Sequence, residues 1–442
     1  MKKILVLGAG LSSSYLIKYL LDGAQANNWF LTVADANVQQ AEAKIKQHPQ
    51  AKAIALNAGN REELMLSIEA HDLVISLLPP TMHIDAAKWC IALKKHLITA
   101  SYVSDEMRSL HAEALQSDVL LLNECGLDPG IDHLSAMKLI HEIESEGGEI
   151  TSFKSFCGGL VAPEFDDNPW NYKFTWNPRN VVLAGQVTAK YLEQGELKFI
   201  PPSRIFTHLE PVSVKGYGEF ESYANRDSLG YIQPYGIQKA HTVLRGTLRK
   251  KGYSEAWNCL IKLGLTDDTF TISEANKLTW HELLSAFTPG NKNENLEQRV
   301  ASFLQINVDG ELMNKLKWLG IFDETPIEME VGTPAQILQK RLQQKWKLNA
   351  GELDMIVMHH EIEYRKANQH KTIHSSLVVK GENETLTAMA KTVGLPMAIC
   401  AKLILNNQIQ ARGVQIPISR MFYEPVLKEL SEFGVEFSEY ED

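Results

Sequence analysis

The chain has 442 residues, 44% hydrophobic and 22% charged, with a formal net charge of -10. That length exceeds what one small core accommodates, so two or three domains are expected. An acidic balance argues against general binding to nucleic acid, whose phosphates it repels, but leaves room for a small anion held by a local arginine cluster.

The N-terminal stretch M-K-K-I-L-V-L-G-A-G has an apolar run of only four residues before Gly8, too short for a secretory signal and better read as a buried first strand. No apolar stretch reads as approaching the ~18 residues needed to cross a bilayer, so no membrane association and a cytoplasmic location are expected. Five widely spaced cysteines (Cys90, Cys125, Cys157, Cys259 and Cys400) fit reduced thiols rather than a disulfide framework or a zinc site.

In chain order, residues 3–7 read as a buried parallel strand, residues 15–21 as an amphipathic helix and residues 31–34 as a second strand ending at Asp35. Helices are expected at 38–48, 61–70, 83–95 and 105–117. They alternate with strands near 53–56, in D-L-V-I-S-L-L-P-P, in H-L-I-T-A and in V-L-L-L-N. This alternation over the first ~125 residues predicts a doubly wound parallel sheet of α/β class. The pattern changes after residue 135. A helix at 136–143, a half-buried strand at 150–156, an ordered loop at 157–181, strands and turns at 199–205 and 212–223, a strand at 240–249 and a helix at 254–263 suggest an α+β domain. Residues 265–323 read as almost all helix with a Pro-Gly-Asn-Lys-Asn hinge at 289–293. Strands return at 354–364 and 375–380, and helix and loop alternate from Leu386.

G-A-G-L-S-S places Gly8 and Gly10 where the first strand meets a helix. The first glycine permits a tight turn, the second lets a pyrophosphate approach the backbone, and the helix N-terminus supplies N–H groups and a favourable dipole. Ser13 stands where the usual fingerprint has a third glycine. Asp35 is placed to hydrogen-bond the adenosine ribose hydroxyls, and Ala36 and Asn37 follow it with no arginine to hold a 2'-phosphate, so NAD is expected over NADP.

The ends of S-L-L-P-P, T-A-S-Y and residues 123–133 fall at the carboxyl edge of the same sheet, where open α/β sheets bind ligands. Tyr102, Asp128 and Cys157 are candidate proton carriers there. Arg226, and Arg245, Thr247 and Arg249 on one face of a strand, are candidates for binding carboxylates in bidentate fashion. His359 and His360 are adjacent on a predicted strand and point to opposite faces, so no metal site is expected.

The stretches T-A-S-Y-V-S, N-E-C-G-L-D-P-G-I-D-H-L, S-F-C-G-G-L-V-A-P-E, D-N-P-W-N-Y-K-F-T-W, Y-A-N-R-D-S and V-L-R-G-T-L-R, with K-W-L-G-I-F and M-A-K-T-V-G-L-P-M-A further on, resemble the saccharopine reductase family, the glutamate-forming saccharopine dehydrogenases. The resemblance implies a Rossmann domain at 1–130 rejoined by about 388–442, an α+β substrate and dimerisation domain at 131–264 and 326–387, and a small helical domain at 265–325. It implies a homodimer that interconverts saccharopine with glutamate and 2-aminoadipate 6-semialdehyde using NAD(P). By the same resemblance Tyr102, Asp128 and Cys157 are acid–base groups, and Ser101, Tyr102, Asp128, Arg226, Thr247, Leu248 and Arg249 contact substrate, with Arg245 beside them. Cofactor contacts fall on the loop residues Gly8, Ala9, Gly10, Leu11 and Ser12 and on Asp35, Asn57, Ala58 and Leu78. Further cofactor contacts are Ala100, Ser101, Leu127, Asp128, Pro129 and Asn177.

Two departures stand out. Fungal members carry an arginine just after the second strand where this chain has Asp35 and Ala36, so NAD is kept first with NADP as the family's possibility. Ala100 stands where the family often has threonine, which removes a hydroxyl. Two other readings are open: a related reductive condensation such as carboxynorspermidine formation, and a non-catalytic dinucleotide-binding protein. The arginines favour saccharopine over the first, and the presence of Tyr102 and Asp128 together argues against the second.

Overall fold

A computed structural model of the chain describes residues 1–291 and 293–442. Lys292, within the expected 289–293 hinge, lies outside the described residues. The chain divides into two compact units, the first formed by Met1–Ile150, Gln233–Ile237 and Glu363–Asp442, the second by Thr151–Ile232 and Gln238–Ile362.

The first unit is built on the expected alternation. Its strands are β1 (Lys2–Leu7), β2 (Trp29–Asp35), β3 (Ala51–Ala55), β4 (Leu73–Ser76), β5 (His96–Thr99) and β6 (Leu120–Leu122). Its first helices are α1 (Ser14–Asp22), α2 (Val38–Ile45), α3 (Arg61–Glu69), α4 (His83–Ala92), α5 (Asp105–Ser109), α6 (His111–Gln116) and α7 (Ile131–Ser145). The strands pair in parallel in the order β3-β2-β1-β4-β5-β6. The order reverses at β1, so a crevice opens there at the carboxyl edge. Ile4 to Leu7 and Leu73 to Ile75 are 0% exposed, which explains why these strands are continuous apolar runs. Each such side chain contributes about 1.5–3 kcal/mol by leaving water.

The C-terminal segment completes this unit. Strand Gly413–Gln415 pairs in parallel with β6 and becomes a seventh strand. Helix Ala388–Leu405 packs on α1. This helix has the length and apolar character of a membrane span, contrary to the sequence expectation, and 78% of it is buried in the protein, as befits a core helix.

In the second unit, strand Thr242–Arg249 pairs in parallel with β7 (Glu149–Val161) and antiparallel with Gly218–Ala224, which pairs in turn with Leu209–Val214. Between residues 265 and 323 the helices are Trp280–Phe287, Leu296–Leu304 and Glu311–Trp318. Residues 272–273 instead form a short strand, in which Ile272 pairs with Gly332. The core of this unit includes Trp170, Tyr172, Tyr253, Trp257 and Trp346, all 0–2% exposed.

Candidate active site

In the first unit, the turn after β1 is set by Gly8, whose φ of +102° disfavours any side chain and whose added Cβ would lie 3.2 Å from the Leu77 carbonyl oxygen. Gly10 differs. Its φ is -66°, and a Cβ there would meet nothing within 4 Å. The fold does not demand a glycine at this position, so the open space beside the backbone fits a pyrophosphate. The chain then enters α1 through one tight turn, Leu11–Ser13, at a helix start where the first N–H groups lack intrahelical acceptors. Asn57 and Ala58 follow β3, and Leu78 follows β4.

Asp35 ends β2 as expected, but both carboxylate oxygens are engaged by backbone. Oδ2 accepts the Ala9 N–H at 2.7 Å and Oδ1 accepts the Asn37 N–H at 2.8 Å. The carboxylate is a clasp between the glycine loop and the turn after β2.

The turn from Asn123 to Asp132 lies beyond β6. Gly130 has φ +148°, and a Cβ there would sit 2.0 Å from the Gly126 carbonyl oxygen, so only glycine closes this turn. The Asp128–Pro129 peptide bond is cis. Between residues 119 and 137 every residue is buried except Asp128. Tyr102 donates to Asp128 Oδ1 at 3.4 Å, a long bond that still places the two candidate proton carriers side by side. Leu127 and Pro129 flank them in the buried wall of the turn.

Ser101 is oriented by a residue that the sequence reading passed over. His83, 3% exposed, places Nδ1 2.9 Å from Ser76 Oγ and Nε2 2.8 Å from Ser101 Oγ and 3.2 Å from Thr99 Oγ1. It ties the ends of β4 and β5 together. Burial pushes its pKa down to about 4, so it is neutral near pH 7. A histidine seven residues after a strand-terminal serine carries no distinctive sequence signal, because its other partners lie at positions 99 and 101.

In the second unit, Thr247 is in register with Cys157 on β7, and Arg245 with Ser155. Arg245 lies 4.3 Å from the Tyr231 ring centroid. Arg249 is 4% exposed and sits among the rings of Tyr172, Tyr253 and Tyr223, at 5.0, 5.2 and 5.8 Å. Its Nη1 donates to the Leu248 carbonyl oxygen, while its Nε has no hydrogen-bond partner among the described residues. The carboxylate opposite it in the strand register, Glu221, is committed elsewhere: it accepts the Gly252 and Ser254 N–H groups at 2.8 and 2.6 Å, capping helix Tyr253–Lys262. Among the described residues no carboxylate pairs with Arg249. A buried cation left this way is suited to an anionic ligand. The Tyr box was not apparent from sequence, because its members are dispersed between residues 172 and 253. Arg226 lies just after strand Gly218–Ala224, with φ +51°. Asn177, expected at the cofactor, caps helix Pro178–Val182 by accepting the Arg179 N–H at 2.9 Å.

A Gly-x-Gly loop at the reversal point of a parallel sheet, joined to a second unit with a mixed sheet, defines a Rossmann-type dinucleotide-binding protein of two units. Residues 4–122 match the family described as "Saccharopine dehydrogenase NADP binding domain", and residues 126–435 that described as "Saccharopine dehydrogenase C-terminal domain". The chain belongs to the saccharopine dehydrogenase family, a family of lysine metabolism. It is 35% identical over 448 residues to the saccharopine dehydrogenase [NADP(+), L-glutamate-forming] of Schizosaccharomyces pombe, covering 99% of each chain. It is 38% identical over 450 residues to the mitochondrial alpha-aminoadipic semialdehyde synthase of Bos taurus, and here spans only 47% of that longer protein. The apo saccharopine dehydrogenase (L-Glu forming) of Saccharomyces cerevisiae superposes with a TM-score of 0.90 at 32% identity, over 100% of both chains.

These matches overturn the expected preference for NAD. The matched domain is described as NADP binding, and the fungal relatives are named for NADP(+). The preference rested on Asp35 as an acid at the ribose position with no arginine nearby; its two oxygens accept the Ala9 and Asn37 N–H groups, so its charge is engaged by backbone and does not by itself select NAD.

Proposed function

We propose that the chain oxidises saccharopine to glutamate and 2-aminoadipate 6-semialdehyde with NADP. Gly8 to Ser12, Asn57, Ala58, Leu78, Leu127 and Pro129 would hold the nucleotide, which when bound accepts a hydride from the carbon bearing the secondary amine. The chain's own groups supply the rest. Tyr102 and Asp128, joined at 3.4 Å, take the amine proton and serve the hydration and collapse that release glutamate, with Cys157 as the third candidate. The two side chains share one hydrogen bond, so the pair rather than one residue is assigned the role. Arg226, Arg245, Thr247 and Arg249 bind the substrate carboxylates.

The observation that carries this reading is the buried Arg249 guanidinium with a free Nε and no carboxylate partner among the described residues. A substrate with three carboxylates matches such groups better than a polyamine precursor does, which ranks saccharopine above carboxynorspermidine chemistry. Incubation with saccharopine and NADP, followed by chromatography of the products, tests it. Glutamate and the semialdehyde are expected in equal amounts; their absence overturns the reading. The division into domains at 1–130 with 388–442, 131–264 with 326–387, and 265–325, a homodimer and a cytoplasmic location complete the proposal. Sedimentation of the purified protein and cell fractionation address the last two.

A further inference from the structure

Glu124 brackets Tyr102. Its backbone N–H donates to the Ser101 carbonyl oxygen at 3.0 Å, and its Oε1 accepts the Val103 N–H at 2.9 Å. The peptide groups on both sides of Tyr102 are therefore tied to one residue. The next N–H, of Cys125, donates to the Thr99 carbonyl oxygen at 3.1 Å and extends the clasp. Glu124 holds this position with φ +53°, a left-handed conformation that residues other than glycine adopt rarely. Backbone strain of this kind is sustained only where the surroundings over-determine it.

What over-determines it is a buried polar chain. The Glu124 side chain is 7% exposed and that of His133 0%. His133 Nε2 lies 2.8 Å from Glu124 Oε2, and its Nδ1 lies 2.5 Å from the Tyr235 hydroxyl. Tyr235 is 2% exposed and belongs to Gln233–Ile237, a five-residue segment of the first unit whose sequence neighbours belong to the second. A carboxylate accepts from Nε2–H, which leaves Nδ1 to accept from the tyrosine hydroxyl. Each group fixes the next, and the chain ends at the peptide that follows Tyr102.

We propose that Glu124, held by His133 and Tyr235, is the positioning residue that sets Tyr102 against Asp128. This rests on the reading that Tyr102 and Asp128 act on the substrate. The competing account is a plain core contact, which would lower stability and leave the reaction alone.

Three variants separate the two. Glu124→Met keeps the bulk and removes both acceptors. Glu124→Gln restores one acceptor and can keep both hydrogen bonds, because the amide oxygen can take the Val103 N–H and the amide nitrogen can donate to His133 in its other tautomer. Tyr235→Phe removes one hydroxyl and keeps the ring. We expect kcat for saccharopine oxidation to fall on the order of 10²-fold in Glu124→Met, with most of it recovered in Glu124→Gln. For Tyr235→Phe a fall of about tenfold is expected. The Kd for NADPH, measured by fluorescence, stays unchanged in all three. In the crystal structure of Glu124→Met, or of Tyr235→Phe should the former not fold, the Tyr102 hydroxyl is displaced from Asp128. An undisplaced Tyr102, or unchanged kcat with lowered stability, overturns the proposal. Absence of saccharopine turnover in the unaltered protein would count against the functional reading instead, and the crystal structure would still decide the positioning role.

Discussion

The Asp35 carboxylate joins the glycine loop to the turn after β2, through 2.7 Å to the Ala9 N–H and 2.8 Å to the Asn37 N–H. A charged acceptor shared by two backbone donors is a stabilising clasp, so its removal should register in stability. Asp35→Ala is expected to cost about 1–2 kcal/mol in urea unfolding. No loss would mean that the clasp is not held in solution.

Gly10 separates binding from folding. A methyl group there meets no protein atom within 4 Å, and φ is already -66°. Gly10→Ala should therefore leave stability unchanged or raise it by up to about 1 kcal/mol, since it restricts only the unfolded chain. NADPH affinity should fall on the order of tenfold, because the methyl occupies the space required by the pyrophosphate. Unchanged affinity would place the nucleotide elsewhere.

Arg249 makes the opposite comparison of a buried charge. Replacing a buried cation that no carboxylate faces among the described residues by an apolar side chain of similar length relieves desolvation. Arg249→Met should keep or increase thermal stability while raising the KM for saccharopine on the order of 10²-fold. An unchanged KM would remove Arg249 from the substrate site.

His83 gives the pH dependence a sign. Burial lowers its pKa from 6.5 to about 4. The unfolded chain takes up a proton at this position as pH falls below 6.5, and the folded chain does not until about 4. The contribution of neutral His83 to stability is thus complete above pH 6.5 and is lost progressively as pH falls towards about 4. The full shift corresponds to about 3 kcal/mol. His96 is likewise pushed down to about 4 by burial and adds a slope of the same sign. The difference between the protein and His83→Gln, in urea unfolding from pH 7 down to pH 4, isolates the His83 part. Parallel curves for the two would contradict it.

The parallel sheet was legible because most of its strands are apolar runs bounded by turn residues (β3, A-K-A-I-A, is the exception), and strand–helix alternation admits few topologies. The seventh strand, Gly413–Gln415, was not: three residues, two of them only half-buried, carry no period. Residues 272–273 were taken into a helical stretch because their pairing with 331–332 is non-local. Asp128 could be singled out from its strand-end position beside two glycines. Its neighbours Asp132 and His133, left as structural support, proved to be the partners of the Gly130 N–H and of Glu124. Glu124 and Tyr235 escaped notice because a buried polar chain is assembled from residues over a hundred positions apart. The NAD preference failed for a different reason: an acid at the end of β2 suits a ribose and a backbone clasp equally well, and one sequence signal serves both.

The most direct measurement is the initial rate of reduced-nicotinamide absorbance with purified protein and saccharopine, supplied with NADP and with NAD in turn. Steady formation of NADPH, faster with NADP than with NAD at equal concentration, is the predicted result. No turnover with either cofactor would contradict the account.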